Sequence, residues 1–355
     1  MKRLVLLSFA FALAVGAQAQ ILWTGAEDID FPNGPNPACT STNSTYSADR
    51  PGFGRGIVNS CGAGLTARSL AFPGGAVTSA WVHAQSTGDN DFLLGLVKSG
   101  TLNSVLFQVQ ENGAVSLSKW DGTTLTVLGT SATGIIPTAP TTQLDFQIQN
   151  YGASCVLKIY VNASSSALLS YSGNCAVGSN TNLDAAIISQ YGDVYNNEGY
   201  SEIIVSSADT RALGGTSGLV TLAPNANGAL QQWIMPGYQN INPISINDSN
   251  FTNDNTAGDM TRYKMTCLPS GTFSILDVRV IARGAKQTSG ITSVALGFYN
   301  GTSDQLGASQ GLAASFGSVE SDFAENPFTS APWQASDIGC SSSSTTLNLE
   351  LKSGS

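Results

Sequence analysis

The chain has 355 residues, of which 42 % are hydrophobic and only 11 % are charged, and its formal net charge is -9. This composition is too apolar for a disordered chain and too poor in charge for a helical bundle. The acidic balance argues against nucleic acid and anionic membranes as partners, because both are themselves negatively charged.

The first residues predict a signal peptide over 1–19. Lys2 and Arg3 form a basic start, the run LVLLSFAFALAV is the apolar core, and AQA at 17–19 matches a small-x-small cleavage site. The apolar run is short for a membrane span and no later segment is long enough, so we expect no stable membrane insertion. We therefore expect a secreted or cell-surface protein, with a virion protein as the alternative.

Beyond the leader, the sequence predicts strands at intervals of about ten residues. Alternating runs such as SVLFQVQ and VSLSKW are separated by Glu111-Asn112-Gly113 and Asp121-Gly122, which are hairpin signals. The 38 glycines agree with many short turns. Because no helical period accompanies these strands, the pattern predicts an all-β sandwich or jelly roll.

The stretch CVLKIYVNASSSALLSYSGNC, residues 155–175, predicts a hairpin stapled at its open end by a disulfide. Alternation places Lys158 and Tyr160 on one face and Leu157 and Ile159 on the other. If the strands pair symmetrically about the polar NASSS bend, residue 155 lies opposite 175, 157 opposite 173 and 159 opposite 171. On the chain-entropy model, a bridge closing a loop of this size contributes roughly 3 kcal/mol.

Four stretches of this region resemble the laminin-G-like, concanavalin A-like jelly roll, most of all the version found in structural proteins of tailed phages and prophages. They are GAVSLSKWDGTTLTVLGT, TQLDFQIQN, LKIYVNASSSALLSYSG and YSEIIVSSADTRAL. The resemblance implies a jelly-roll domain over 20–210. LPSGTFSILDVRVIARGA and APWQASDIG resemble the C-terminal sandwich that often follows this jelly roll, which implies a second antiparallel β-sandwich over 211–355.

Six cysteines in an exported chain favour disulfides. Six cysteines allow fifteen pairings, so the sequence leaves the connectivity open. A zinc site is disfavoured because no two cysteines have CxxC spacing and the chain has one histidine. Proximity along the chain favours the pairs Cys39–Cys61, Cys155–Cys175 and Cys267–Cys340.

Two clusters of acidic and amide residues are candidate calcium sites. Jelly rolls of the family that the chain resembles often hold a calcium ion at one rim, through loops distant in sequence, which points to TGDND and YGDVYNNEG. A second candidate, NDSNFTNDNTAGD, has Asn253 where a calcium loop needs glycine. Solvated turns are the alternative for both clusters. The candidate ligands at the rim are Asp89, Asp91, Asp193 and Asn196.

The sequence contains no grouping that predicts catalysis. GASQG around Ser309 has the spacing of a nucleophile elbow, but that motif needs a downstream histidine and His83 lies upstream. Asp28 and Asp30 can share a strand face, as glycosidase carboxylates do, yet they lie at the N-terminal edge. A lone histidine close to Trp81 favours a packed or hydrogen-bonded role.

We therefore expect a non-catalytic exported or surface-exposed β-sandwich that binds a glycan or a surface protein, with no required cofactor beyond a candidate calcium ion. The alternative is a structural subunit of an assembly, either a virion decoration or tail-type protein or an extracellular filament, whose partners are copies of itself. A glycan-cleaving enzyme on the same fold is a third hypothesis. The aromatic residues that could stack on sugar rings, or pack in the core, are Trp120, Tyr191, Tyr195, Trp233 and Tyr238.

Overall fold

The computed structural model describes residues 21–25, 56–57, 66–86, 92–137, 142–190, 200–213, 222, 224–234, 238, 251–266, 268, 275–286, 290–338 and 347–355. The signal peptide, the four rim calcium candidates and Asp28 and Asp30 lie outside these residues. So do Cys39, Cys61, Cys267, Cys340, Tyr191 and Tyr195. The predictions that rest on them stay predictions.

The N-terminal part of the described chain is a sandwich of two antiparallel sheets built from thirteen strands. The strands are β1 (Ile21–Gly25), β2 (Gly56–Ile57), β3 (Thr66–Arg68), β4 (Ala80–Ser86), β5 (Phe92–Val97), β6 (Ser104–Val109), β7 (Val115–Trp120), β8 (Leu125–Thr130), β9 (Thr142–Gln149), β10 (Cys155–Val161), β11 (Leu169–Gly173), β12 (Ala185–Gln190) and β13 (Tyr200–Ser206). Sheet I has seven strands in the order β1-β13-β4-β9-β10-β11, with β2 also pairing β13. Sheet II has the order β3-β12-β5-β6-β7-β8.

The C-terminal part forms two further sheets that share a second hydrophobic core. Its elements are β14 (Pro224–Gln231), β15 (Met260–Met265), β16 (Val278–Gly284), β17 (Ser293–Tyr299), β18 (Asp304–Leu306), β19 (Gln310–Gly311), β20 (Gly317–Phe323), helix α1 (Ala335–Ile338) and β21 (Asn348–Gly354). Sheet III has six strands in the order β14-β15-β21-β17-β18, with β19 also pairing β17. Sheet IV is the pair β16-β20. The prediction of an all-β sandwich fold is confirmed for the described residues.

The first core follows from strand alternation, because every second side chain of a strand points to the same face. Val82 and Ala84 on β4 lie beside Phe146 and Leu144 on β9, and these four side chains pack against the inner residues of sheet II, all fully buried. Phe107 packs against Phe146 with ring centroids 5.4 Å apart. The core thus lies between sheets I and II. The other face of sheet I carries mainly polar and aromatic side chains.

The predicted boundary between the two units, after residue 210, stays a prediction. Sheets I and II take their strands from 21–206 and sheets III and IV from 224–354. Between them a short 3₁₀ segment, Thr210–Leu213, contacts β4. The predicted boundary therefore falls within a segment that packs on the first sandwich.

The disulfide Cys155–Cys175 is present, with the two Cα atoms 5.8 Å apart, and the predicted faces of β10 are confirmed. The predicted register was wrong, because Cys155 pairs with Gly173 and Ile159 with Leu169. The chain turns early, at Asn162 and Ala163, which both have positive φ, and Ser164 N donates to Val161 O at 3.1 Å. The return strand is therefore displaced by two residues, which leaves every side chain on its predicted face.

The predicted hairpin turns on either side of β7 are confirmed. Gly113 and Gly122 both adopt positive φ, where glycine carries no steric penalty. Asp121 Oδ1 accepts hydrogen bonds from Thr123 N and Thr124 N, which holds the second turn. In the part of the chain that the structure describes, no helix is long and apolar enough to span a bilayer.

Candidate functional site

The outward face of sheet I is lined mainly by buried polar and aromatic side chains, and the half-buried Lys158 on β10 shares this face. They are brought together by the pairing of β4 with β9 and of β9 with β10. Each of the buried side chains is at most 9 % exposed. The members of this polar face are Trp81, His83 and Gln85 on β4, Gln143, Asp145 and Gln147 on β9, and Tyr160 on β10.

Asp145 is the centre of the polar face and is fully buried. Its Oδ1 lies 2.9 Å from His83 Nδ1 and accepts a hydrogen bond from Thr210 Oγ1 at 2.7 Å. Its Oδ2 accepts a hydrogen bond from Gln143 Nε2 at 2.7 Å. A buried carboxylate needs such partners because removal from water is costly. Asp145 therefore ties three separate parts of the chain together.

Arg211 covers the aromatic part of the polar face. Its guanidinium carbon lies 4.3 Å from the Tyr160 ring centroid and 5.2 Å from that of Trp81. The side chain is held by Asp209, with Nε 3.0 Å from Oδ1, and by Ser164 O, 3.1 Å from Nη1. Hydrogen bonding to Asp209 raises the pKa of Arg211, so the guanidinium remains charged. Thr210 and Arg211 thus both hold the 3₁₀ segment Thr210–Leu213, hereafter the connecting segment, on sheet I.

Two buried nitrogen atoms of the polar face have no hydrogen-bond partner among the described residues: His83 Nε2 and Gln85 Nε2. His83 donates from Nδ1 to the Asp145 carboxylate, so in the neutral ring Nε2 is an acceptor, whereas Gln85 Nε2 is a donor. The two residues share a face two positions apart.

His83 and Asp145 belong to a buried hydrogen-bonded network. A nucleophile activated by histidine must hydrogen-bond to the ring, but the Thr210 hydroxyl donates to Asp145 Oδ1, the oxygen that His83 also contacts. His83 and Asp145 are both 0 % exposed, so a substrate does not reach them in this conformation. The expected hydrogen-bonded role of His83 is what the structure shows. Ser309, the serine at the nucleophile-elbow spacing, bonds through Oγ to Ser293 Oγ at 2.9 Å.

The strand ends that flank the two segments carrying the four rim calcium candidates meet at one rim of the sandwich. Ser86, at the end of β4, pairs with Tyr200, and Phe92, at the start of β5, pairs with Gln190. The described strand ends on either side of 87–91 and 191–199 are therefore paired with one another. The candidate ligands themselves lie outside the described residues.

The predicted aromatic candidates that the structure describes are engaged in packing. Trp120 packs against a hydrophobic cluster on the outward face of sheet II. Trp233 and Tyr238 pack against the second core, and Trp233 Nε1 donates to Asp259 O at 3.3 Å. The aromatic residues of the polar face, Trp81 and Tyr160, were not among the candidates.

Sequence reasoning missed Asp145, Tyr160 and Arg211 as site residues. A signal for the first was present, because TQLDFQIQ places an aspartate between two glutamines on one face of a strand. No sequence signal indicated that Arg211 lies over Trp81 and Tyr160, because this contact joins residues from three different elements.

A second charged cluster lies on sheet III. Arg262 Nε donates to Glu350 Oε1 at 2.8 Å and Nη2 donates to Asp304 Oδ1 at 2.7 Å. Burial raises the pKa of Glu350 to about 7. Hydrogen bonding to Asp304 also raises this pKa, whereas Arg262 lowers it. The Glu350 carboxyl thus takes up a proton near neutral pH.

We expect the second unit to become more stable as the pH falls from 8 to 5. The pKa of Glu350 is about 7 in the folded chain against an ordinary value of 4.5, so the folded state binds more protons between these values and stability falls as pH rises through them. Differential scanning calorimetry at several pH values measures this. Glu350→Gln, a neutral isostere, should reduce the pH dependence of its melting temperature. An unchanged dependence would contradict the assignment.

No protein-family model matches the chain, and no curated protein matches it by sequence. Solved structures similar to part of it include the metal-free exoplasmic/lumenal domain of VIP36 (8 % identity, 54 % of this chain, 93 % of that chain, TM-score 0.34). A second is CG-16, a homodimeric agglutinin from chicken liver (10 % identity, 37 % of this chain, 94 % of that chain, TM-score 0.26). A third is the CBM40 of the Ruminococcus gnavus IT-sialidase bound to alpha2,3 sialyllactose (13 % identity, 49 % of this chain, 100 % of that chain, TM-score 0.30). At these values the similarity leaves the ligand of this chain open. The described strands define the chain as an all-β protein of antiparallel sandwiches.

Proposed function

We propose that the protein is a non-catalytic carbohydrate-binding module and that the polar face of sheet I is its ligand face. The observation that supports this is the stacked pair of Trp81 and Tyr160, whose ring centroids lie 5.6 Å apart at an interplanar angle of 30°. Next to it stand amide side chains, with Tyr160 Oη donating to Gln147 Oε1 at 3.2 Å. Aromatic rings accept the apolar face of a sugar and amides pair with its hydroxyls.

Arg211 acts in this proposal as a gate over the aromatic pair. Trp81 is 7 % and Tyr160 5 % exposed, so a sugar ring must displace the guanidinium to stack there. The Arg211 side chain is itself 25 % exposed and its partner Asp209 is 41 % exposed. Ion pairs at such sites contribute about 0–1 kcal/mol, and cation–π contacts such as those with Trp81 and Tyr160 contribute about 0.5–2 kcal/mol. A ligand therefore displaces the guanidinium at a modest cost in free energy.

We expect Arg211→Ala to strengthen glycan binding at least several-fold, because it removes the group that covers Trp81 and Tyr160. A glycan array followed by calorimetric titration of the best binder measures this. Arg283→Ala is the matched control, since Arg283 also lies over an aromatic ring, Phe316, but in the second unit.

Adding Trp81→Ala to the Arg211→Ala variant should abolish the gain. The proposal fails if the Arg211→Ala variant binds no glycan, or if binding survives the loss of Trp81. Light scattering on the same samples tests the alternative role, since a discrete particle or polymer from the wild-type chain would favour a structural subunit over a carbohydrate-binding module.

We also propose that the rim bearing segments 87–91 and 191–199 holds calcium, through Asp89, Asp91, Asp193 and Asn196. Two observations support this proposal. The described strand ends that flank the two segments pair with one another, and the sequences of both segments are rich in carboxylate and amide oxygens, the ligands that Ca²⁺ prefers. Running the array with calcium and with chelator separates a calcium-dependent ligand site from one on the polar face alone.

A further inference from the structure

A cluster of charged side chains lies where sheet IV meets the first sandwich. Arg279 on β16 pairs across the sheet with Asp322 on β20. Its Nη1 donates to Glu320 Oε2 at 3.2 Å, and its guanidinium carbon lies 5.4 Å from the ring centroid of Trp23 on β1. Trp23 is 1 % exposed and belongs to the first core. Arg279 thus contacts both units at once.

The cluster contains more carboxyl groups than cations. Asp277, Glu320 and Asp322 surround Arg279, and the Arg279 and Glu320 side chains are only 8 % and 5 % exposed. Asp322 Oδ1 is buried with no hydrogen-bond partner among the described residues. Three ionised carboxylates around one arginine would leave excess negative charge in a poorly solvated place, which is unfavourable.

Burial, with repulsion from Asp322 next, raises the pKa of Asp277 to about 7. Burial also raises the pKa of Asp322, against the attraction of Arg279. The charged groups on β16, on β20 and on the residue before β16 are the carboxyls of Asp277, Glu320 and Asp322 and the guanidinium groups of Arg279 and Arg283. The guanidinium carbon of Arg283 lies 6.0 Å from the ring centroid of Phe316. On β1, the described residue that contacts Arg279 is Trp23, whose ring does not titrate.

We infer that Arg279 docks the second unit on the edge of sheet I, and that this docking is a pH-sensitive device in which the carboxyls of Asp277 and Asp322 compete with the Trp23 ring for the guanidinium. While these carboxyls hold protons, the arginine stays over the ring. When they ionise, they attract the guanidinium more strongly than an aromatic face does. The junction then loosens as the pH rises. This inference is independent of the proposed carbohydrate binding.

Small-angle X-ray scattering of the full chain at pH 5.5 and pH 8.5 tests the device. The wild-type radius of gyration should be larger at pH 8.5. The double variant Asp277→Asn with Asp322→Asn should stay compact at both values, and Arg279→Gln should be expanded at both. Glu350→Gln, which removes the other carboxyl with a pKa of about 7, should keep the wild-type response. A wild-type radius independent of pH overturns the inference.

Hydrogen exchange on the wild-type chain provides a readout that needs no variant. After correction for the intrinsic rate, the amides of β1, β16 and β20 should lose protection at pH 8.5, while those of β9 keep theirs. Equal protection of β1 and β16 at both pH values would overturn the inference. Loss of protection in β9 as well would also overturn it, since that result means global destabilisation rather than undocking.

Discussion

Replacing Gly95 with alanine is expected to destabilise the first sandwich by about 3 kcal/mol or more. Gly95 lies in the middle of β5, paired with Ile187 on one side and Leu106 on the other. A Cβ atom there would lie 2.0 Å from Val105 O and 2.9 Å from Leu106 Cα. These atoms belong to the backbone, so the clash is relieved only by moving β6 within the ladder.

Chemical denaturation followed by circular dichroism gives the change in the free energy of unfolding. Gly129→Ala is the matched control, because a Cβ at Gly129 meets the Leu169 side chain at an ordinary 3.4 Å. We expect that substitution to have little effect. Equal losses for the two variants would show that the close approach of β5 and β6 is not the cause.

Removing the buried carboxylate of Asp145 by substitution with alanine should cost about 3–5 kcal/mol, the loss typical of breaking a buried, hydrogen-bonded charge network. The variant leaves His83 Nδ1, Thr210 Oγ1 and Gln143 Nε2 without their common acceptor. Buried donors without acceptors are themselves unfavourable. We also expect the connecting segment to become more sensitive to protease, because Thr210 is one of its two anchors on sheet I.

Thermal unfolding and limited proteolysis measure these two effects. Asp121→Ala is the matched control, since the Asp121 carboxylate also accepts three hydrogen bonds, from Thr123 and Thr124, but in an exposed turn. Water replaces the lost acceptor there, so we expect a clearly smaller effect. If Asp145→Ala were no more harmful than Asp121→Ala, the buried network would not be what anchors the segment.

Local pattern was sufficient where a feature depends on neighbours in the chain. The turns at Gly113 and Gly122 need a positive φ that glycine adopts freely, and they were predicted. The faces of β10 follow from alternation and were also predicted. The register of β10 with β11 was predicted incorrectly. The prediction assumed a turn at the centre of the polar bend, whereas the chain turns earlier, at Asn162 and Ala163.

The sequence by itself determined the all-β class and the alternation that buries one face of each strand, and proximity along the chain predicted the pairing of Cys155 with Cys175. These depend on residue type and short spacings. Only the tertiary structure decided that Asp145 meets Thr210, that Arg211 covers Tyr160 and that Arg279 meets Trp23. These partners lie 65, 51 and 256 residues apart in the numbering, and their contacts depend on strand order and docking. Such long-range order is a cooperative property of the packed sheets, which alternation within single strands does not encode.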